Sequence, residues 1–186
     1  TTAATSNVLA QYQDTLVAGG ADVMNVNLIN SDANNIIIGQ VANPIPGGPF
    51  GGVETINLDN DRSSTINRLN TNLTNLNVTG QNNLTINTAL NPTVRSVEFN
   101  TGTPGSTAAL TASVAGASGG VTINTVEGAD SITGSSFNDD IDVAGGNNTV
   151  NSGTGNDSVT ADNGNNIINT SGAGADCVDV GDGNNT

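Results

Sequence analysis

Asp and Asn residues recur every nine or ten residues through the last third of this 186-residue chain. Any chemistry here depends on their oxygen atoms, because the chain has no His and a single Cys. Gly lies two residues before each of them except in one unit, where Phe137 stands instead, and Ile or Val follows two residues after the first six. The series is Asp130, Asp139, Asn148, Asp157, Asn166, Asp176 and Asn185.

This spacing predicts a stack of short strands joined by tight turns. Glycine allows the backbone conformations with positive φ that tight turns need, and the apolar residue at the centre of each short strand points inward. One strand and one turn form half a coil, so two units of nine residues bring the chain back to the same side. One side then carries Asp139, Asp157 and Asp176, and the other carries Asp130, Asn148, Asn166 and Asn185.

Carboxylates stacked at the strand spacing of about 5 Å repel one another unless a cation lies between them. Ca²⁺ suits such a site because it accepts about six to eight oxygen ligands in irregular geometry, whereas Mg²⁺ requires a tighter octahedron. We expect Ca²⁺ first on the Asp side, held by carboxylates and by carbonyl oxygens of the glycine turns. The candidate ligands there are Asp139, Asp157, Asp176, Gly153, Gly155, Gly172 and Gly174. Asp182 also lies in a turn, and its backbone carbonyl is a further candidate ligand.

The second side is richer in Asn, and two interpretations of it remain open. Asp130, Asn148 and Asn166 could bind Ca²⁺ weakly through neutral oxygens, or they could form a metal-free ladder of hydrogen bonds. Six further acidic residues of this segment lie outside the series, and we expect most of them to form a solvated acidic face. They are Glu127, Asp140, Asp142, Asp162, Asp179 and Asp182.

The composition excludes several classes of function. A net charge of −14 with three Arg and no Lys disfavours nucleic acid and anionic membranes. The absence of His and the single Cys177 leave no zinc site, no internal disulfide and no His-based catalysis. No apolar run approaches the roughly 20 residues that span a bilayer. We therefore expect neither an enzyme nor a membrane-spanning protein.

The first two-thirds of the chain show no nine-residue period but do contain short alternating patterns. Inward pairs are expected at Ile56/Leu58, Leu76/Val78, Leu84/Ile86, Val97/Phe99 and Val121/Ile123. Strands are predicted over residues 23–29, 35–39, 53–58, 73–78, 83–87, 96–100, 108–114 and 121–126, a weak helix over 6–17 and a Pro/Gly-rich loop over 42–52.

The fold predicted from these patterns is all-β: a right-handed parallel β-solenoid. It is expected to be irregular over residues 1–124 and to continue as a regular calcium-binding β-roll over 125–186, with a small β-sandwich as the alternative. Because the last unit is incomplete, we expect the chain to be a piece of a longer protein.

The segments from Ile132 to Ile141, Gly153 to Val159 and Gly172 to Val178 resemble the nonapeptides of the repeats-in-toxin (RTX) family. The segment from Gly51 to Leu58 resembles a strand of the bacterial surface-layer (S-layer) proteins of that family. The resemblance implies type I secretion, folding on Ca²⁺ outside the cell, and self-association into a lattice or homo-oligomer at the cell surface. A polysaccharide anchor would lie in parts outside this chain. Asn in place of Asp in three units and the presence of Cys177 depart from the pattern.

Three functions are consistent with these features. The first is a structural component of a secreted, calcium-stabilised S-layer. The second is an ice-binding or adhesive repeat module, because Thr and Asn rows on a flat solenoid can order water, although the outward positions are not uniformly Thr. The third is the secretion domain of an extracellular enzyme whose catalytic part lies outside these residues.

Overall fold

The computed structural model describes residues 6–12, 22–28, 33–40, 53–70, 73–90, 92–100, 102–103 and 105–186. Within these residues the chain is all-β and contains no helix. The strands are β1 (Ser6–Tyr12), β2 (Val23–Leu28), β3 (Ala33–Gln40), β4 (Thr55–Asn60), β5 (Ser64–Asn70), β6 (Asn75–Thr79), β7 (Leu84–Ile86), β8 (Ser96–Phe99), β9 (Leu110–Ser113), β10 (Thr122–Asn124), β11 (Ser131–Thr133), β12 (Asp140–Asp142), β13 (Thr149–Asn151), β14 (Ser158–Ala161), β15 (Ile167–Asn169) and β16 (Cys177–Val180).

The strands form two eight-stranded sheets, one of odd-numbered and one of even-numbered strands, called here the odd sheet and the even sheet. Each strand pairs in parallel with the strand two places along the chain, as in β10–β12 and β11–β13. The chain therefore passes from one sheet to the other in every coil. This topology confirms the predicted right-handed parallel β-solenoid. It excludes the alternative β-sandwich, because sandwiches consist of antiparallel sheets.

Coil length separates a regular part from an irregular part. Ile123 pairs with Ile141, 18 residues further on, and Ile141 pairs with Val159 after another 18. Upstream, Leu76 pairs with Val97 after 21 residues, and Val97 pairs with Ile123 after 26. The longer coils place their extra residues in turns, so the two sheets and the buried aliphatic core continue through residue 124 without a break.

The core is a stack of Ile, Leu, Val and Ala layers between the two sheets. All ten members of the five predicted inward pairs are buried, which confirms the alternation derived from the sequence. In the repeat segment Ile132, Ile141, Val150 and Val159 are at most 1% exposed, whereas Val178 in the last coil is 43% exposed. Stacking therefore buries the central residue of a coil only when another coil covers it.

Two local expectations were wrong. Residues 6–12 form strand β1, paired with β3, instead of the start of a helix, because pairing with a neighbouring strand overrides a weak local preference. Strand β5 was missed because its register against β3 shifts between Ile36, which pairs with Ile66, and Ile37, which pairs with Arg68. This irregularity breaks the two-residue alternation that identifies a strand. Residues 13–17 and the predicted loop 42–52 lie outside the described residues.

Close stacking of turns explains the glycines of the repeat. Gly146 has a φ of 127°, and a Cβ built on it would lie 1.7 Å from the carbonyl oxygen of Gly128 in the preceding coil. A Cβ on the adjacent Gly145 would lie no closer than 3.5 Å to any neighbour. Only the first of these two glycines is required by both conformation and space.

We predict that Gly146→Ala lowers the free energy of unfolding by at least about 2 kcal/mol, because it adds a positive-φ penalty to a backbone clash. Thermal or urea unfolding followed by circular dichroism measures this change. Gly145→Ala is the matched control and should change stability by less than about 0.5 kcal/mol. Equal effects of the two substitutions would contradict the stacking geometry.

Candidate functional site

The Asp and Asn residues of the repeat lie at the mouths of stacked turns, just before each short strand. Those preceding β12, β14 and β16 line the even sheet, and those preceding β11, β13 and β15 line the odd sheet, as the 18-residue coil predicts. The first five of them are buried, and Asp176 and Asn185 are half-buried. The side chains of Asp130, Asp139, Asn148, Asp157 and Asn166 are 0–3% exposed.

On both sides one side-chain oxygen binds the preceding coil. The Oδ1 atom accepts a hydrogen bond from the backbone N–H of the equivalent residue one coil earlier, which we call the inner ladder. On the Asp side, Asp139 N–H donates to Asp157 and Asp157 N–H donates to Asp176, each at 3.0 Å. On the Asn-rich side, the 3.0 Å bonds run from Asp130 to Asn148, from Asn148 to Asn166, and from Asn166 to Asn185.

The second side-chain atom distinguishes Asn from Asp. The Nδ2 group of Asn148 donates to the turn carbonyls of Val143 at 3.0 Å, Ala144 at 3.2 Å and Gly146 at 3.4 Å. Asn166 Nδ2 likewise donates to the carbonyl of Asp162 at 3.1 Å. In an Asn unit, therefore, amide hydrogens satisfy the carbonyl oxygens that converge inside the turn. These hydrogen bonds form a ladder on the Asn-rich side, and weak Ca²⁺ binding there stays a prediction.

Two of the Asp carboxylates receive hydroxyl or backbone donors instead. The Oδ2 atom of Asp130 accepts a 2.5 Å hydrogen bond from the Thr125 hydroxyl. Asp139 accepts from the Ser135 backbone N–H at 2.6 Å and from the Ser135 hydroxyl at 2.8 Å. Burial nevertheless raises the pKa of Asp130 to about 6 and raises the pKa of Asp139, to which the charge of Asp157 adds. Both carboxylates are satisfied by hydrogen bonds but are costly to ionise.

Asp157 differs from both. Its Oδ2 atom is buried and has no hydrogen-bond partner, and the hydroxyl of Ser152 is also buried without one. Ser152 precedes Asp157 by five residues, as Thr125 precedes Asp130, so the two hydroxyls hold equivalent places in the repeat. At Asp130 that hydroxyl donates to the carboxylate; at Asp157 it does not. An unsatisfied buried carboxylate oxygen is unfavourable unless a proton or a cation compensates it.

The four predicted glycine ligands lie in the stacked turns of the Asp side, whereas Asp182 lies in a turn of the Asn-rich side. A Cβ on Gly172 would lie 1.9 Å from the Gly153 carbonyl oxygen, and one on Gly174 would lie 1.6 Å from that of Gly155. The Asp182 carbonyl accepts the Gly164 N–H at 2.9 Å. In the described part of the chain no three acidic or Cys side chains converge on one point. A cation in these turns would therefore draw most of its ligands from backbone carbonyl oxygens.

A second, outer ladder was not foreseen from the sequence. It involves the Asn that immediately precedes several members of the series. The Oδ1 atom of this Asn accepts a hydrogen bond from the backbone N–H of the equivalent residue in the following coil. The direction is thus opposite to that of the inner ladder. Asn147 accepts from Asn165 and Asn138 accepts from Asn156, each at 2.9 Å. The signal was present as Asn in five of the seven positions: Asn138, Asn147, Asn156, Asn165 and Asn184.

The acidic residues outside the series are exposed, as expected. They are Glu127, Asp140, Asp142, Asp162, Asp179 and Asp182. They contribute to the strong negative field of the roll. Their carboxylates take no part in the inner ladder. The buried carboxylates that are candidates for binding a cation therefore lie inside the turns.

The raised pKa of Asp130 predicts a pH-dependent stability of the metal-free protein. The carboxyl titrates at 3.8 in its ordinary state and at about 6 when folded. Folding therefore favours the protonated carboxyl. The contribution of this group to the free energy of unfolding is fully present below pH 3.8 and is lost as pH rises through about 6. Asp130→Asn should remove this loss and raise the free energy of unfolding at pH 7 by up to about 3 kcal/mol.

Urea unfolding between pH 4 and pH 7 in the presence of a chelator measures this effect. Asp140→Asn removes the same charge from an exposed position and is the control. The slope of stability against pH should flatten only in the Asp130 variant. An unchanged slope in that variant would show that Asp130 ionises in the folded protein as it does in the unfolded chain.

Within the described residues no helix is long and apolar enough to cross a membrane. A scan against models of protein families, a search of curated proteins and a search of solved structures each find no match to this chain.

Proposed function

We propose that this chain is a structural component of a secreted bacterial surface layer, folded and assembled by Ca²⁺ ions bound between stacked Gly/Asp turns. The observation that carries the proposal is the buried Asp157 carboxylate, whose Oδ2 atom has no partner in a turn built from glycine. An extended acidic solenoid with an aliphatic core is suited to a building element. The resemblance to RTX surface-layer proteins adds the expectation of type I secretion and an extracellular location.

The chemistry of the turns favours Ca²⁺ over other cations. All available donors are hard oxygen atoms: carboxylates, backbone carbonyls and the Ser152 hydroxyl. Ca²⁺ accepts such mixed oxygen sets in irregular geometry, whereas Mg²⁺ retains its waters and a strict octahedron. Zinc is disfavoured because the chain has no His and its one Cys177 is exposed.

The contacts also indicate which turns would hold the ions. On the Asp side, Asp157 would supply its free Oδ2 atom, Asp176 its carboxylate, and Gly153, Gly155, Gly172 and Gly174 their carbonyl oxygens. Asp139 is a weaker candidate because Ser135 already donates to its carboxylate. The Asn148 and Asn166 turns need no ion, since amide hydrogens satisfy their carbonyls. When bound, the ion supplies positive charge that offsets the repulsion among stacked carboxylates.

We expect Ca²⁺ to raise the melting temperature of the protein by several degrees. An ion at 100 times its dissociation constant adds about 2.7 kcal/mol for each site, and 1 kcal/mol corresponds to about 2–4 °C for a chain of this size. Circular dichroism melts in Ca²⁺, in Mg²⁺ and in chelator measure the shift. Identical melts in all three solutions would refute the calcium role.

Asp157→Asn tests the site itself. By analogy with Asn148, the new amide would satisfy the turn carbonyls, so the metal-free protein should melt higher and the Ca²⁺-induced shift should become smaller. Asp140→Asn, an exposed neighbour with the same loss of charge, should leave the Ca²⁺-induced shift intact. Calorimetric titration that finds equal Ca²⁺ binding in the wild type and in Asp157→Asn would place the ion elsewhere.

A second candidate function, an ice-binding module, is favoured by one observation. Thr65, Thr85 and Thr111 lie in register on consecutive strands of the odd sheet, and evenly spaced hydroxyls can order water. The next positions in this row are Ser131, Thr149 and Ile167, which interrupts the regularity. We expect no inhibition of ice recrystallisation at micromolar protein. Clear inhibition would favour this second function.

A further inference from the structure

The two outer faces of the solenoid carry very different charge. Acidic side chains project from the outer face of the even sheet along most of its length, and every one of them is at least partly exposed. The described side chains there include Asp59, Glu98, Asp140, Asp142 and Asp179. At close range this face repels any second copy of the chain, whose net charge is also −14.

The outer face of the odd sheet, from β7 to β15, has no charged residue among its outward positions. Two rows of side chains lie in register there, one centred on Thr111 and the other on Thr133. The first row is Thr85, Thr111, Ser131, Thr149 and Ile167, and the second is Ser113, Thr133, Asn151 and Asn169. We call these two rows the neutral face.

The groups of the neutral face are available for contacts outside the chain. Within the described residues, the side chains of Thr111, Ser131 and Thr149 make no hydrogen bond to the rest of the protein and are exposed. Hydroxyl and amide groups both donate and accept, so such a face is complementary to a copy of itself. The β-branched Thr side chains also have few rotamers, so ordering them in a contact costs little entropy.

We propose that the neutral face is the surface through which two copies of this chain associate, face to face about a two-fold axis. Charge selects this occupant: two chains of like charge approach most closely where neither presents a carboxylate. The contact explains how the structural layer proposed above can assemble. Its biological role, though not the contact itself, rests on the proposed function. This contact does not itself require Ca²⁺ and adds to the Ca²⁺-dependent assembly proposed above.

The size of the face sets the expected strength. Five strands at about 4.8 Å and two rows about 7 Å apart give a few hundred Å² on each copy. That is less than the roughly 800 Å² per partner of a standard stable interface. A single contact should therefore be weak and reversible, and it becomes effective when many copies are held in one layer.

Sedimentation equilibrium up to about 1 mM protein, with Ca²⁺ and with chelator, tests the proposal. The disruptive variant is Thr111→Lys with Thr133→Lys on the neutral face. The matched control is Thr122→Lys with Thr160→Lys on the even sheet. In each pair one Thr is exposed and one is half-buried, and both pairs change the net charge from −14 to −12. Thr111→Ser with Thr133→Ser keeps the hydroxyls, and melting temperatures verify folding.

We expect weak dimerisation of the wild type and of the Ser variant. The Lys pair on the neutral face should raise the dissociation constant at least tenfold, and the even-sheet pair should not raise it. A wild type that stays monomeric throughout, or one whose association is lost only in the even-sheet variant, overturns the proposal. Association that disappears in chelator while circular dichroism stays unchanged also overturns it, in favour of Ca²⁺ bridges between acidic faces. Failure of the calcium role would appear separately, as identical melts with and without Ca²⁺.

Discussion

The hydrogen bond from a backbone N–H to the Oδ1 atom of the equivalent Asp or Asn one coil later is the interaction on which the roll depends. It joins consecutive turns from Asp130 through Asn185 on one side and from Asp139 through Asp176 on the other. It uses one side-chain atom and directs the other into the turn. Because the turns then stack too closely for a Cβ atom, the same interaction accounts for glycine at positions such as Gly146.

The identity of that second atom decides the chemistry of each turn. An amide, as in Asn148, donates to the turn carbonyls and completes the hydrogen bonding without help. A carboxylate offers no hydrogen, so it needs a donor such as Ser135 or Thr125, a proton, or a cation. This single difference links three properties of the roll: the raised pKa of Asp130, the unsatisfied Oδ2 atom of Asp157 and the proposed dependence on Ca²⁺.

The same coil geometry separates charge on the outside. Side chains alternate inward and outward along each strand, so a core of narrow aliphatic layers leaves two long outer faces. The strand register then aligns residues from distant parts of the chain in rows. Thr85 and Thr149 belong to one neutral row, while Asp140 and Asp142 project from the acidic face. A chain with a charge of −14 can thereby present one surface without charge to a partner.

The sequence alone determined the period, the two sides of the roll and the inward pairs, because a strict spacing of nine residues and a two-residue alternation are local properties of the chain. It could not identify β5, whose register shifts near Ile66, or the strand at Ser6–Tyr12, which depends on a partner strand. Only the tertiary structure separated Asp157 from Asp130: a hydroxyl residue stands five positions before each of them, but only the Thr125 hydroxyl reaches its carboxylate. The neutral face likewise required the tertiary structure: coils of 18 to 26 residues bring its members into register, and no single spacing in the sequence records that alignment.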